Sequence, residues 1–194
     1  AAAAASLITR ERIFSDNRLD VMSGCGGALL ALLAFHRERA VERSVRGNAL
    51  DLAVQCGQHL LKTRVTQRGA SAWPGAENPP LTGFAHGAAG ISYALTSLFG
   101  VTGRRDFIDA ALDGFEFERK LYDSRTGRWM DPRFRRPLQQ VAWCHGAPGI
   151  ALGRLAFQSF ASLPDLKGDV EEAISITKLQ NDCDRDHLCC GNSG

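Results

Sequence analysis

The stretch Gly83-Phe-Ala-His-Gly-Ala-Ala-Gly90 places one histidine inside a glycine cluster and runs straight into apolar sequence, Ile91 to Leu98. The pattern recurs. Ser23-Gly-Cys-Gly-Gly27 opens Ala28 to Phe35, and Trp143-Cys-His-Gly-Ala-Pro-Gly149 opens Ile150 to Phe157. A fourth cluster, Cys189-Cys-Gly-Asn-Ser-Gly194, ends the sequence. Each cluster holds a Gly-x-x-Gly: Gly24/Gly27, Gly87/Gly90, Gly146/Gly149 and Gly191/Gly194, spaced by about 63, 59 and 45 residues. That is a loose internal repeat. Just ahead of each Gly-x-x-Gly sit residues that carry chemistry: Asp20, His86, Cys144 with His145, and Cys189 with Cys190. If the repeats are set around a ring, these positions meet.

Between the clusters the sequence alternates in character. The three apolar runs, Ala28–Phe35, Ile91–Phe99 and Ile150–Phe160, have no polar side and read as buried helices. Each is followed by an amphipathic segment: Arg46 to Thr66, Asp106 to Leu121 and Val170 to Leu179. A further helix is expected over Ala1 to Ile13, followed by a turn over Phe14 to Leu19. Gln67 to Thr82 and Tyr122 to Gln140 read as loops, and Pro164 as a helix stop. No period-2 strand stands out. The expectation is an all-α fold, an α/α toroid or solenoid of inner and outer helices. Each glycine cluster then lies at the N-terminus of an inner helix, where free N–H groups and the helix dipole favour anions and thiolates.

The sequence has 194 residues, 44 % of them hydrophobic and 23 % charged, with a net charge of +2. This suits one globular domain and gives no electrostatic case for nucleic acid or an anionic membrane. No apolar run approaches the roughly 18 residues of a membrane span. Ala1 to Ala5 lacks the charged n-region and long h-region of a secretion signal. With no initiator Met and the last motif cut at Gly194, the sequence is expected to be a piece of a longer chain. The six cysteines fit a reducing compartment better than a stapled scaffold, because the chain is large and helix-patterned.

Glycine clusters alone are explained by backbone economy. The residues ahead of them are not. Cys144 with Cys189-Cys190 offers three thiolates, the ligand count of a catalytic zinc site with one open position. The spacing is unlike a zinc ribbon and adjacent cysteines are a poor general signal, so buried thiols remain the alternative. His86 and His145 are the acid/base candidates, set against helix-start histidines bonded to backbone. Asp20 is read as a helix cap or as a residue that orients a histidine or an incoming group. Cys25 and Cys183 are read as bystanders, Cys56 as core, His36 as a helix C-cap and His59 as a surface residue. His187, beside the cysteine pair, stays open.

Taken together, Asp20-Val-Met-Ser-Gly, Gly83-Phe-Ala-His-Gly-Ala-Ala-Gly, Trp143-Cys-His-Gly-Ala-Pro-Gly and Leu188-Cys-Cys-Gly-Asn resemble the successive motifs of the LanC-like cyclase domain. The likeness runs from about Asp20 to the last residue, in the family's order. The Cys-Cys-Gly form resembles the class II, bifunctional lanthionine synthetases. The resemblance implies a toroid of seven inner and seven outer helices, here incomplete, and a cytoplasmic enzyme. It implies zinc on Cys144, Cys189 and Cys190, with His86 and Asp20 as acid/base or positioning residues. His145 stands where stand-alone cyclases often have Tyr. The implied substrate is a dehydrated precursor peptide, whose cysteine thiolates add to dehydroalanine or dehydrobutyrine to close thioether rings. The implied partners are the rest of the synthetase: the dehydratase domain and the C-terminal toroid helices, both absent here. Two rivals stand beside this reading. One is a non-catalytic α-toroid that binds peptide or thiol. The other, an α/α-barrel hydrolase, needs paired carboxylates, and Asp20, Glu77 and Asp131 show no pairing.

Overall fold

The computed structural model describes residues 7–75, 79–133, 136–137, 141–161 and 163–179. Cys183, His187, Cys189 and Cys190 therefore lie outside the described residues, as does Glu77.

A short helix, α1 (Arg10–Ser15), starts the described chain, with the Thr9 side chain accepting the Arg12 N–H as its cap. Of the expected Ala1–Ile13 helix, residues 1–6 lie outside the described residues; Leu7 to Thr9 are not helical, and the helix that starts at Arg10 runs on through Phe14 and Ser15, where a turn is expected. Three helical hairpins follow. The first is α2 (Cys25–Arg37) with α3 (Arg43–Thr63). The second is α4 (Ala88–Thr102) with α5 (Arg105–Arg119), and the third is α6 (Ala147–Gln158) with α7 (Pro164–Leu179). Within each hairpin the partners pack together, and α4 also packs on α2 and α6. So α2, α4 and α6 form one layer, and α3, α5 and α7 lie behind them as the outer layer.

The central position of α4 explains its sequence. It has neighbours on both sides and a third behind, and Ala88, Ala89, Ile91, Ala94, Leu95 and Leu98 are all buried. The other two apolar runs depart from the expectation of burial all round. On α2, Ala31 and Ala34 are exposed, and on α6, Leu152 and Leu155 are each 44 % exposed. Each of these helices has a single inner-layer neighbour among the described elements.

The inner helices start three residues earlier than their apolar runs suggest. Gly24, Gly87 and Gly146 are the N-caps, so the second glycine of each Gly-x-x-Gly lies in the first turn. The reason is close approach. A methyl group at Gly27, Gly90 or Gly149 would collide with the backbone carbonyl oxygen of Val21, Phe84 or Trp143 respectively, the same step back along the chain in each repeat. Backbone cannot swing aside as a flexible side chain can. Gly90→Ala is expected to destabilise the fold by about 1–3 kcal/mol, read as a shift in urea midpoint at unchanged slope. A midpoint unchanged from the parent would mean the turn has room to spare.

Other local expectations also need correction. Short antiparallel pairs interrupt the expected segments: β1 (Val65–Gln67), which takes the end of the amphipathic Arg46–Thr66 segment, pairs with β2 (Ala70–Ala72), and in the second predicted loop β3 (Tyr122–Asp123) pairs with β4 (Arg128–Asp131), which β5 (Arg136–Pro137) joins. Strands this short carry no readable alternation. The β1–β2 turn, Arg68-Gly69, has φ of 54° and 72°, the left-handed pair that a two-residue hairpin favours. Pro164 opens α7 rather than stopping a helix, since a first-turn N–H has no helical partner to lose. His59, expected at the surface, is buried, and its Nε2–H donates to the Asp16 carbonyl at 2.8 Å. His36 bonds the Arg46 carbonyl of α3 through Nδ1 at 2.9 Å, so it joins two helices instead of capping its own. Cys56 is fully buried, as expected of core.

Candidate functional site

Three of the glycine-cluster turns lie side by side at the N-terminal ends of α2, α4 and α6. Ala85 is the link. Its N–H donates to the Cys144 carbonyl at 3.1 Å, and its own carbonyl accepts from Val21 and Met22 at 3.2 and 3.3 Å. Side chains close the second seam: Phe84 meets Trp143 edge-on, with ring centroids 5.9 Å apart. Gly83 has φ of 99°, and a methyl there would meet the Cys144 carbonyl oxygen at 2.8 Å. Only glycine combines that conformation with that contact.

This seam brings Asp20, His86, Cys144 and His145 to one place. The His86 Nδ1–H donates to Asp20 Oδ2 at 2.7 Å. Asp20 Oδ1 accepts from the Ser23 N–H at 2.7 Å and its hydroxyl at 3.2 Å, so the carboxylate is fixed from both sides. Leu19, just before it, has φ of 63°, a strained conformation for a bulky residue that turns the chain into the cluster. With Nδ1–H committed to Asp20, Nε2 of the neutral His86 ring carries the lone pair. The His86 side chain is 39 % exposed while Asp20 is 12 % exposed, so the pair has a dry end and a wet end. The His145 ring lies 5.4 Å from that of His86. Cys144 is buried at 1 % exposure.

A thiol set of Cys144, Cys189 and Cys190 is chemically suited to zinc. Cys144 fits that use in its place: buried, one residue from His145, on the turn bonded to Ala85. Among the described residues a different trio, Asp16, Cys25 and His59, has donor atoms within 4.8 Å of one another. Its donors are already engaged. The Asp16 carboxylate accepts from the N–H groups of Arg18, Leu19 and Cys25, and His59 Nε2–H is taken by the Asp16 carbonyl. The Cys25 thiol donates to the Ile13 carbonyl at 3.5 Å. Its hydrogen bond with Cys56 and its burial push its pKa far up. The trio pins the Asp16–Leu19 turn to α2 and α3.

Sequence reasoning missed one group at the site. Glu118, at the end of α5, is wholly buried. Its Oε1 accepts from the Gly83 N–H at 2.8 Å and the Ala89 N–H at 3.1 Å. Its Oε2 accepts from Arg154 of α6 at 2.7 Å. Arg154 is also wholly buried, and its Nε–H donates to Asp169 of α7 at 2.8 Å. Burial pushes the Glu118 carboxyl pKa up, opposed by Arg154 and the two N–H groups. All three partners are donors, so the geometry is that of an ionised carboxylate. The available signal was Arg154 itself, a cation in an otherwise apolar inner helix, which demands a buried partner.

Comparisons with known proteins bear on the family and the fold. A family profile described as lanthionine synthetase C-like protein matches residues 2–194. Among solved structures, nisin cyclase superposes with a TM-score of 0.61 at 18 % sequence identity. That match covers 98 % of this chain and 52 % of the cyclase, so the chain spans about half the length of its structural relative. No curated protein sequence matches significantly. The helical layers described above share the cyclase's α/α toroid fold.

Proposed function

The chain belongs to the lanthionine synthetase C-like family, and we propose that it is part of a zinc-dependent cyclase that forms thioether rings in a dehydrated peptide. The observation that carries this reading is the Asp20–His86 pair held on the same backbone seam as Cys144. Zinc on Cys144, Cys189 and Cys190 would supply the positive charge that lets a peptide cysteine react as thiolate near neutral pH. The chain's own residues do the rest. Asp20 fixes the His86 tautomer and orientation. His86 takes up at Nε2 the proton that the peptide thiol gives off, and delivers it to the α-carbon after the thiolate has added to the β-carbon of dehydroalanine or dehydrobutyrine. One S–C bond forms, one C=C bond becomes single, and the thiol proton is balanced by the proton delivered. His145 lies beside His86 as a second imidazole that orients the peptide or shares the proton. The Cys-Cys-Gly at 189–191 supports placement in a bifunctional class II synthetase, whose dehydratase half would supply the dehydro residues.

The test uses the full-length protein with a dehydrated, cysteine-containing peptide. Parent protein is expected to carry one zinc per chain and to consume peptide thiol with no change in peptide mass. Cys144→Ala is expected to lose both metal and ring formation. Peptide binding without thiol consumption would favour the rival reading, a toroid that binds peptide or thiol and does no chemistry. Among the described residues no helix is long and apolar enough to cross a membrane.

A further inference from the structure

We propose that Glu118 is a positioning residue of this site: its buried carboxylate sets the turn that carries His86 and ties that turn to the helix that follows Cys144 and His145. The turn from Gly83 to Ala89 has His86 near its centre. Both of its ends donate their N–H to one oxygen, Glu118 Oε1, at 2.8 and 3.1 Å. The span between those donors is therefore set from outside the turn, by a side chain on the outer helix α5. The other oxygen reaches Arg154 at 2.7 Å. Arg154 is itself fixed by Asp169, by the Ile150 and Phe115 carbonyls at 3.3 Å, and by the Phe115 ring, 5.2 Å from its guanidinium carbon. Since α6 starts directly after Cys144-His145-Gly146, the ion pair fixes the His86 turn relative to the Cys144 turn.

Stability alone does not account for this choice of residues. A buried ion pair contributes little over a well-packed apolar pair of similar size. An apolar pair would join α5 to α6 as well, but would leave the Gly83 and Ala89 N–H groups without their acceptor. What the carboxylate adds is the shape of the turn, and with it the 2.7 Å contact of His86 with Asp20.

The experiment compares three full-length proteins: the parent, Glu118→Gln, and the double variant Glu118→Leu with Arg154→Met. Each is read by urea melt, by the imidazole 15N spectrum of His86, and by kcat and KM for the dehydrated peptide. The activity arm rests on the cyclase reading; the His86 spectrum does not. If the parent forms no thioether, that reading fails and the spectrum still decides on Glu118. The double variant leaves neither Glu118 nor Arg154 as an unpaired charge, and it is expected to fold, with a melt lowered by the Gly83 and Ala89 N–H groups that lose their acceptor. It is expected to lose the single Nδ1–H signature of His86, and about tenfold or more in kcat with little change in KM. Glu118→Gln keeps an oxygen that can accept from Gly83 and Ala89, and is expected to retain the His86 signature and most of kcat. A double variant with the parent's His86 spectrum would overturn the proposal. So would a Glu118→Gln protein that is folded yet has lost the signature, and this arm decides if the double variant does not fold.

Discussion

His86→Ala in the full-length protein is expected to slow ring formation by about 10²–10⁴-fold, the usual contribution of a positioned acid/base group, while bound metal stays unchanged. The geometry separates these two outcomes. His86 Nδ1–H is spent on Asp20 at 2.7 Å, and the ring faces solvent on its other side. It belongs to the turn before α4, whereas the thiol assigned to metal belongs to the turn before α6. Asp20→Asn is expected to cost nearly as much. Asparagine cannot accept from His86, the Ser23 N–H and the Ser23 hydroxyl as a carboxylate does, and its NH₂ would favour the other histidine tautomer. Because the two residues act as one unit, the double variant should be little worse than His86→Ala alone. Metal analysis and single-turnover thiol consumption check all three proteins. Loss of zinc in His86→Ala would make the histidine a ligand, and strictly multiplicative losses would make Asp20 an independent participant.

The repeat made much of this site legible. Asp20, His86 and Cys144 each stand a few residues before successive Gly-x-x-Gly units, so a ring-like placement puts their turns side by side, and the backbone seam through Ala85 joins those turns. The alternation of apolar and amphipathic segments likewise yielded the two helix layers. What stayed hidden depended on contacts distant in sequence. His59, read as a surface residue, is buried against Asp16, which lies 43 positions away, a contact that local sequence does not show. The helix starts were misplaced because an apolar run marks where side chains begin to pack, while the caps are set by glycine backbones pressed on carbonyls. The bond between Arg154 and Glu118 joins positions 36 apart, and no local pattern announces it.

Arg154→Met is expected to lower folding stability by roughly 3–5 kcal/mol, the range for removing one partner of a buried ion pair. Methionine fills much of the same space, so lost packing contributes little. The loss comes from Glu118, left as a carboxylate at 0 % exposure with two backbone N–H donors and no counter-charge. Asp169 suffers less. It is 15 % exposed and keeps Arg119, whose Nε lies 3.4 Å and NH2 nitrogen 3.3 Å from its two oxygens. The contrast with Arg119 shows why position matters more than the count of ion pairs. Arg119 also reaches two carboxylates besides Asp169, yet its side chain is 32 % exposed and Asp165 is 78 % exposed. Pairs of that kind contribute about 0–1 kcal/mol each. An ordinary domain has about 5–15 kcal/mol in total, so Arg154→Met removes a large part of it. Adding Glu118→Leu should recover part of the loss: the stranded charge is then gone, while the Gly83 and Ala89 N–H groups stay without an acceptor. Urea unfolding of the parent, both single variants and the double variant gives the coupling directly. A loss in Arg154→Met below about 1 kcal/mol would mean that water reaches Glu118, and that the interior between α5 and α6 is wetter than the packing of Phe115, Phe157 and Ile150 implies.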